Sequence, residues 1–145
     1  MRRGARRGGE SGRVGVLDAG IVLIRLDRRH AAHDDVCRLF AESADGRVAL
    51  QISVVNVAEV LQHARRYSEA TGLDAIALLH AFSIAVHRPD LEVVRRAAAL
   101  ATWPDLSMAD RFAAATAATV RGRLYTTDQT LAKTLRQSRQ PVTSL

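Results

Sequence analysis

Asp18 follows the apolar run VGVL, Glu59 lies inside NVAEVLQ, Asp110 closes S-M-A-D, and Asp128 follows RLYTT. A carboxylate in apolar surroundings must be paired, hydrated or bound to a cation, or it gives up its charge. Four carboxylates brought to one place repel, and some take up protons unless a cation shares them. A hard divalent cation with oxygen ligands, Mg²⁺ or Mn²⁺, meets that need. Carboxylates, a divalent ion and retained water together equip a site to hydrolyse a phosphodiester.

Each acid alone has a plainer explanation. Asp110 stands three residues after Ser107, the spacing of a capping box, where a helix start favours negative charge. Asp128 can cap QTLAKTL, Glu59 can face solvent, and Asp18 can open a turn. The four together at strand ends and a helix start point to a shared site.

The elements that must position them alternate. VGVLD reads as a strand ending at Asp18, and HDDVCRLFAES as a helix. RVALQIS reads as a second strand, followed by a helix over SVVNVAEVLQHARRYSEA with Ser53 as N-cap. LDAIALLHAFSIAV predicts one broad-faced, mostly buried helix. PDLEVVRRAAALATW predicts a helix capped by Asp90. LSMADRFAAATAATVRG predicts another, capped by Ser107 and closed by Gly122. RLYTTD is a third strand, QTLAKTLRQ a short helix and VTSL an edge strand. The alternation predicts an α/β domain with a central, mainly parallel sheet. In such sheets sites form beyond the carboxyl ends of the strands, where Asp18 and Asp128 fall.

The 145 residues suit one domain, and 48% apolar residues supply its core. The net charge of +6 is uneven: residues 1–13 hold five Arg and one Glu, a net of +4. That Gly/Arg-rich stretch has almost nothing to bury, so residues 1–13 read as a basic disordered tail and residues 14–145 as the domain. No apolar run reaches membrane-spanning length, and no secretory leader is read. The single Cys37 excludes an internal disulfide and fits a reducing, cytoplasmic compartment.

The segments VLDAGIVLIRLDR, ISVVNVAEVLQ, LSMADRFAAATA and LYTTD carry an ordered D…E…D…D pattern that resembles the PIN-domain family. Within it the chain is similar to the VapC-like toxins of type II toxin–antitoxin modules. The resemblance covers Val14 to the C-terminus. It implies a three-layer α/β/α sandwich and a Mg²⁺- or Mn²⁺-dependent endoribonuclease. It also implies a homodimer and a cognate antitoxin. Asp18, Glu59 and Asp110 match the family's three core acids, Asp128 the more variable fourth, and Thr126 the hydroxyl of its T-x-D piece. Gly20 departs from the Ser or Asn that many members carry there.

Other residues offer less. His30 and His33 share a helical spacing but lack a third ligand, so zinc is disfavoured. Glu59 and His63 suit a helix-surface pair. Arg65, Arg66, Arg95 and Arg96 read as solvated faces, whereas Arg111, beside Asp110, is the better candidate for RNA phosphate. Two other function classes compete. A catalytically silent RNA- or protein-binding module would not need four acids. A phosphatase or phosphoacceptor with Asp18 as nucleophile would want a second Asp at position 20 and a Lys after a later strand. Position 20 is Gly, and the only Lys, Lys133, lies inside the last helix.

Overall fold

The computed structural model describes residues 13–66, 69–103 and 105–145. The basic segment assigned to a tail lies outside them except for Arg13, which opens the first strand. Chain order is β1 (Arg13–Leu17), α1 (Ala19–Leu26), α2 (His33–Ala44), β2 (Val48–Ser53), α3 (Val54–Ala64), α4 (Glu69–Ala81) and β3 (Ala85–His87). Then follow α5 (Leu91–Ala99), a 3₁₀ turn (Leu100–Thr102), α6 (Met108–Thr119), β4 (Arg123–Thr126), α7 (Gln129–Gln137) and β5 (Val142–Ser144).

The strands form one sheet of order β3-β2-β1-β4-β5, with every pairing parallel. Parallel strands are covered on both faces, and β1 shows how. Leu17 points into a core built with α1, α2, α3 and α4, whereas its neighbour Val16 points into a second core with α6 and α7. Successive side chains of a strand face opposite ways, so one pleat divides the two layers. The result is the expected α/β/α sandwich. α5 lies outside α6, where Val93 and Ala97 meet Ala115. Buried Ala113, Ala114 and Ala117 let α6 approach the sheet closely.

Four sequence expectations need correction. The helix expected over residues 53–70 ends at Ala64 and gives way to a turn at Arg65 and Arg66, and α4 opens at Glu69. α1 was not foreseen: Asp18 caps it, accepting from the Ile21 N–H at 3.2 Å. Its AGIVLIRL run is rich in β-branched residues that favour strands, and burial of Ile21, Val22 and Ile24 overrides that preference.

The apolar segment 73–86 is not one helix. α4 ends at Ala81, and Ser83 turns left-handed at φ 51°. The Ile84 N–H then reaches the Leu79 carbonyl and the Ser83 N–H that of His80, a Schellman closure, before β3 begins.

Gly122 is likewise not the left-handed residue that ends α6. Arg121 is, at φ 53°, and the same closure joins Gly122 N–H to the Ala117 carbonyl. Gly122 is required for another reason: a Cβ there would stand 3.0 Å from the Val14 carbonyl oxygen.

Candidate active site

From β1 the chain runs to β2 on one side, and β4 later pairs on the other. The crevice between β1 and β4 is the point where strand order reverses, and α/β sheets place sites there. A cavity of about 340 Å³ opens at that point. It is lined by Asp18, Glu59, Asp110 and Asp128, with Gly20, His63 and Thr127 among the other walls. All four sequence-nominated acids therefore share one space.

Local rules hold each acid. Asp18 is buried; one oxygen caps α1 and the other accepts from the Thr126 hydroxyl. The Thr126 oxygen in turn accepts the Asp128 N–H at 2.9 Å. Thr126 thus ties the acid at the end of β1 to the one beyond β4. Asp128 caps α7 through the Leu131 N–H at 3.0 Å. Asp110 and Ser107 form the anticipated capping box, each side chain accepting the other's backbone N–H at 3.1 Å. Glu59 lies on α3, half-buried, 4.0 Å from His63 Nε2.

Burial and mutual charge raise the proton affinity of Asp18, Glu59 and Asp110. Asp18 is pushed up to about 6, chiefly by burial, with the charges of Asp110 and Glu59 adding and the Thr126 and Ile21 hydrogen bonds opposing. Glu59 is raised by burial and then by Asp110, against the pull of His63 and Asn56. Asp110 is raised by burial and by Asp128, against its bonds to Ser107. Perturbed carboxylates gathered in a cleft are a mark of function.

A family model for the PIN domain matches residues 16–136. The chain belongs to the PIN domain family. No curated protein matches it significantly. Among solved structures, VapBC2 from Rickettsia felis bound to a promoter DNA fragment superposes with a TM-score of 0.69 at 12% identity, covering 91% of this chain and 98% of that one. VapC20 of Mycobacterium tuberculosis, described as a sarcin–ricin loop cleaving toxin, gives 0.69 at 16% identity, covering 83% and 94%. FitAcB from Neisseria gonorrhoeae gives 0.67 at 17% identity, covering 88% and 95%. At such identities these likenesses establish the PIN fold.

Among the described residues, no three His, Cys, Asp or Glu side chains close to the spacing of an all-protein metal cage. The PIN site instead offers carboxylate oxygens around an open, water-accessible cavity. Mg²⁺, which keeps several waters and takes one or two carboxylates, fits such a donor set. Gly20 leaves room beside it: a Cβ there would stand 3.4 Å from Asp18 Oδ1 and 3.7 Å from Thr127 Oγ1.

Arg111 does not line the cavity; its guanidinium donates to the Trp103 carbonyl at 3.3 Å. His33 is bonded to Ile24 O and Cys37, and His30 accepts the Ala32 N–H, so this pair is engaged elsewhere. Lys133 lies on α7 and outside the cavity, which weighs against the phosphatase reading.

Asn56 was missed by the sequence reading. It is buried and donates to the Ala109 carbonyl at 3.1 Å, fixing α3, and so Glu59, against the start of α6 beside Asp110. Its signal is a polar residue one turn before Glu59 within an apolar stretch.

Thr126→Val removes the hydroxyl that serves Asp18 and Asp128 while keeping its volume. Losing those bonds in a buried place costs about 1–3 kcal/mol of stability. Without its donor, Asp18 holds its proton to still higher pH. The acidic limb of any cleavage–pH profile therefore moves to higher pH, whereas Thr126→Ser restores both. A melting curve and a pH–rate profile of the two variants check this.

Proposed function

We propose that the chain is a metal-dependent endoribonuclease, the toxin of a toxin–antitoxin pair, cleaving RNA at Asp18, Glu59, Asp110 and Asp128. The observation that carries this reading is the meeting of those four acids in one cavity at the switch point of a PIN fold. The likeness to VapC20, named as a sarcin–ricin loop cleaving toxin, supports the substrate class. The likeness to VapBC2 supports a cognate antitoxin, and the VapC-like sequence pattern supports both an antitoxin and a homodimer. Leu91 and Val94 on α5 and Met108 on α6 are large apolar residues left exposed, as a second copy would require.

The acids would hold Mg²⁺ or Mn²⁺, which supplies an acidified water and offsets charge on the departing oxygen. The chain's own contribution is placement. Thr126 orients Asp18 and anchors the Asp128 backbone. Ser107 fixes Asp110. Glu59, with its proton affinity raised by burial and by Asp110, is suited to take the proton of the attacking water. Among the described residues no helix is long and apolar enough to cross a membrane, and the proposed place of action is the cytoplasm.

The test is cleavage of structured RNA by purified protein with Mn²⁺, Mg²⁺ or EDTA. Cleavage with metal that EDTA stops is expected. RNA that stays whole in all three overturns the reading, and RNA bound but uncut reassigns the chain as a silent binding module.

A further inference from the structure

A second and larger cavity, about 560 Å³, adjoins the acidic one, and Leu23 and His63 line both. One wall is apolar: Leu23, Ile24 and Leu26 from the end of α1. Two guanidiniums stand on the rim, Arg29 from the loop after α1 and Arg66 just beyond α3, and His30 and His63 complete the lining there. Among the described residues Asp27 is the one acid of this lining, and its Oδ1 is taken up by the Arg29 N–H at 3.0 Å. Arg29 and Arg66 are exposed, and among the described residues neither guanidinium makes an ion pair or hydrogen bond. Arg38, Arg47 and Arg96, by contrast, are paired with neighbouring acids. Negative charge therefore gathers in one cavity, and available positive charge stands at the mouth of the next.

We infer that this second cavity is a substrate subsite, which holds the unpaired nucleotide next to the scissile phosphate. Its ribose and base edge lie against Leu23, Ile24 and Leu26, and its phosphate is received by Arg29 and Arg66. Three observations carry the inference. The two cavities are neighbours, with Leu23 and His63 in the walls of both, so a strand with one phosphodiester among the carboxylates has the second cavity beside it. Open guanidiniums match phosphate in charge and in hydrogen-bond geometry. The volume falls within the range of about 300–1,000 Å³ usual for small-ligand sites, the scale of one nucleotide rather than of a duplex. Among the described residues the lining holds no Phe, Tyr or Trp, so these residues grip backbone and shape and tolerate different bases.

This inference rests on the nuclease reading and names how its substrate is held. The test compares full-length wild type with Arg29→Gln/Arg66→Gln. A variant with equal charge loss, Arg136→Gln/Arg139→Gln, is the control. Binding of a single-stranded oligoribonucleotide is followed by fluorescence anisotropy in EDTA over a salt series. Cleavage of the same RNA is followed with Mn²⁺.

With one phosphate received by the pair, the salt slope of log binding should flatten by about 0.7 in the cavity variant and less in the control. KM should rise about tenfold or more with kcat little changed, as for loss of binding shared by ground and transition states. Slopes and KM equal to those of the control overturn the subsite. So does an unchanged RNA response coupled with loss of binding to a co-expressed protein partner, which makes the cavity a protein-docking site. The binding arm needs no metal and no turnover. A wild type that binds RNA but does not cut it therefore refutes the nuclease reading, while the subsite is still judged on the slopes.

Discussion

Asp18→Asn should abolish cleavage and yet melt at a higher temperature than wild type in EDTA at pH 7.5. The carboxyl is buried and pushed up to about 6 against an ordinary 3.8, with burial the largest cause. A folded state that binds the proton more tightly than the unfolded chain gains stability at low pH. That gain is complete below the unfolded value and is lost as pH rises through the folded value. At pH 7.5 the ionised Asp18 therefore opposes folding, by up to about 3 kcal/mol at about 1.4 kcal/mol per pKa unit. The metal-free wild type should accordingly recover about half of this on going from pH 8 to pH 5, and Asp18→Asn should recover much less. Asn keeps the α1 cap, because its carbonyl oxygen can accept from Ile21 N–H as Asp does. Mn²⁺ should raise the melting temperature of wild type, since a ligand of the folded state stabilises it, and should leave the variant unmoved. Cleavage should fall by at least the roughly hundredfold seen when the support of a metal site is disturbed. Thermal melts with and without Mn²⁺ at two pH values, and cleavage rates at pH 7.5, test it. A variant less stable than wild type in EDTA would mean that Asp18 is a structural acid satisfied by Thr126 and Ile21.

The site was more legible in the sequence than the elements around it, for physical reasons. Asp18, Asp110 and Asp128 occupy cap positions, where local hydrogen bonding dictates both residue type and place, so short spacing reveals them. Strand ends are marked by the switch from a buried run to a polar residue, and in a parallel sheet all such ends share one edge. α1 was hidden because β-branched AGIVLIRL is a poor advertisement for a helix, and its helicity comes from burial against other layers. β3 was hidden because Ser83 takes the left-handed position at which glycine is the usual signal, and Arg121 and Arg139 do the same before β4 and β5. Three of the four left-handed turns among the described residues thus carry no mark in the sequence. Arg66 read as part of a solvated face. Its place beside Arg29 depends on the chain after α1 meeting the end of α3, which no local pattern encodes.

Asp110→Asn separates cap from catalyst more cleanly than any other change. Asp110 does two things: it accepts the Ser107 N–H in the capping box and it presents a carboxylate to the cavity. Asn accepts the same N–H, and Asn and Asp cap helices about equally well, so α6 keeps its start. The negative charge alone is lost. That charge raises the proton affinity of both Asp18 and Glu59. Its removal relieves repulsion, and the metal-free variant should be as stable as wild type or more so. If Asp110 serves only the helix, cleavage with Mn²⁺ stays near the wild-type rate. If it is a metal ligand, cleavage falls by about a hundredfold or more in a protein whose circular dichroism and melt are intact. Ser107→Ala supplies the complement: it breaks the cap, costs about 1 kcal/mol, and keeps the carboxylate. Cleavage lost in Asp110→Asn but largely kept in Ser107→Ala assigns the acid to chemistry. The reverse order, with cleavage intact in Asp110→Asn, assigns it to the helix and removes Asp110 from the proposed metal site.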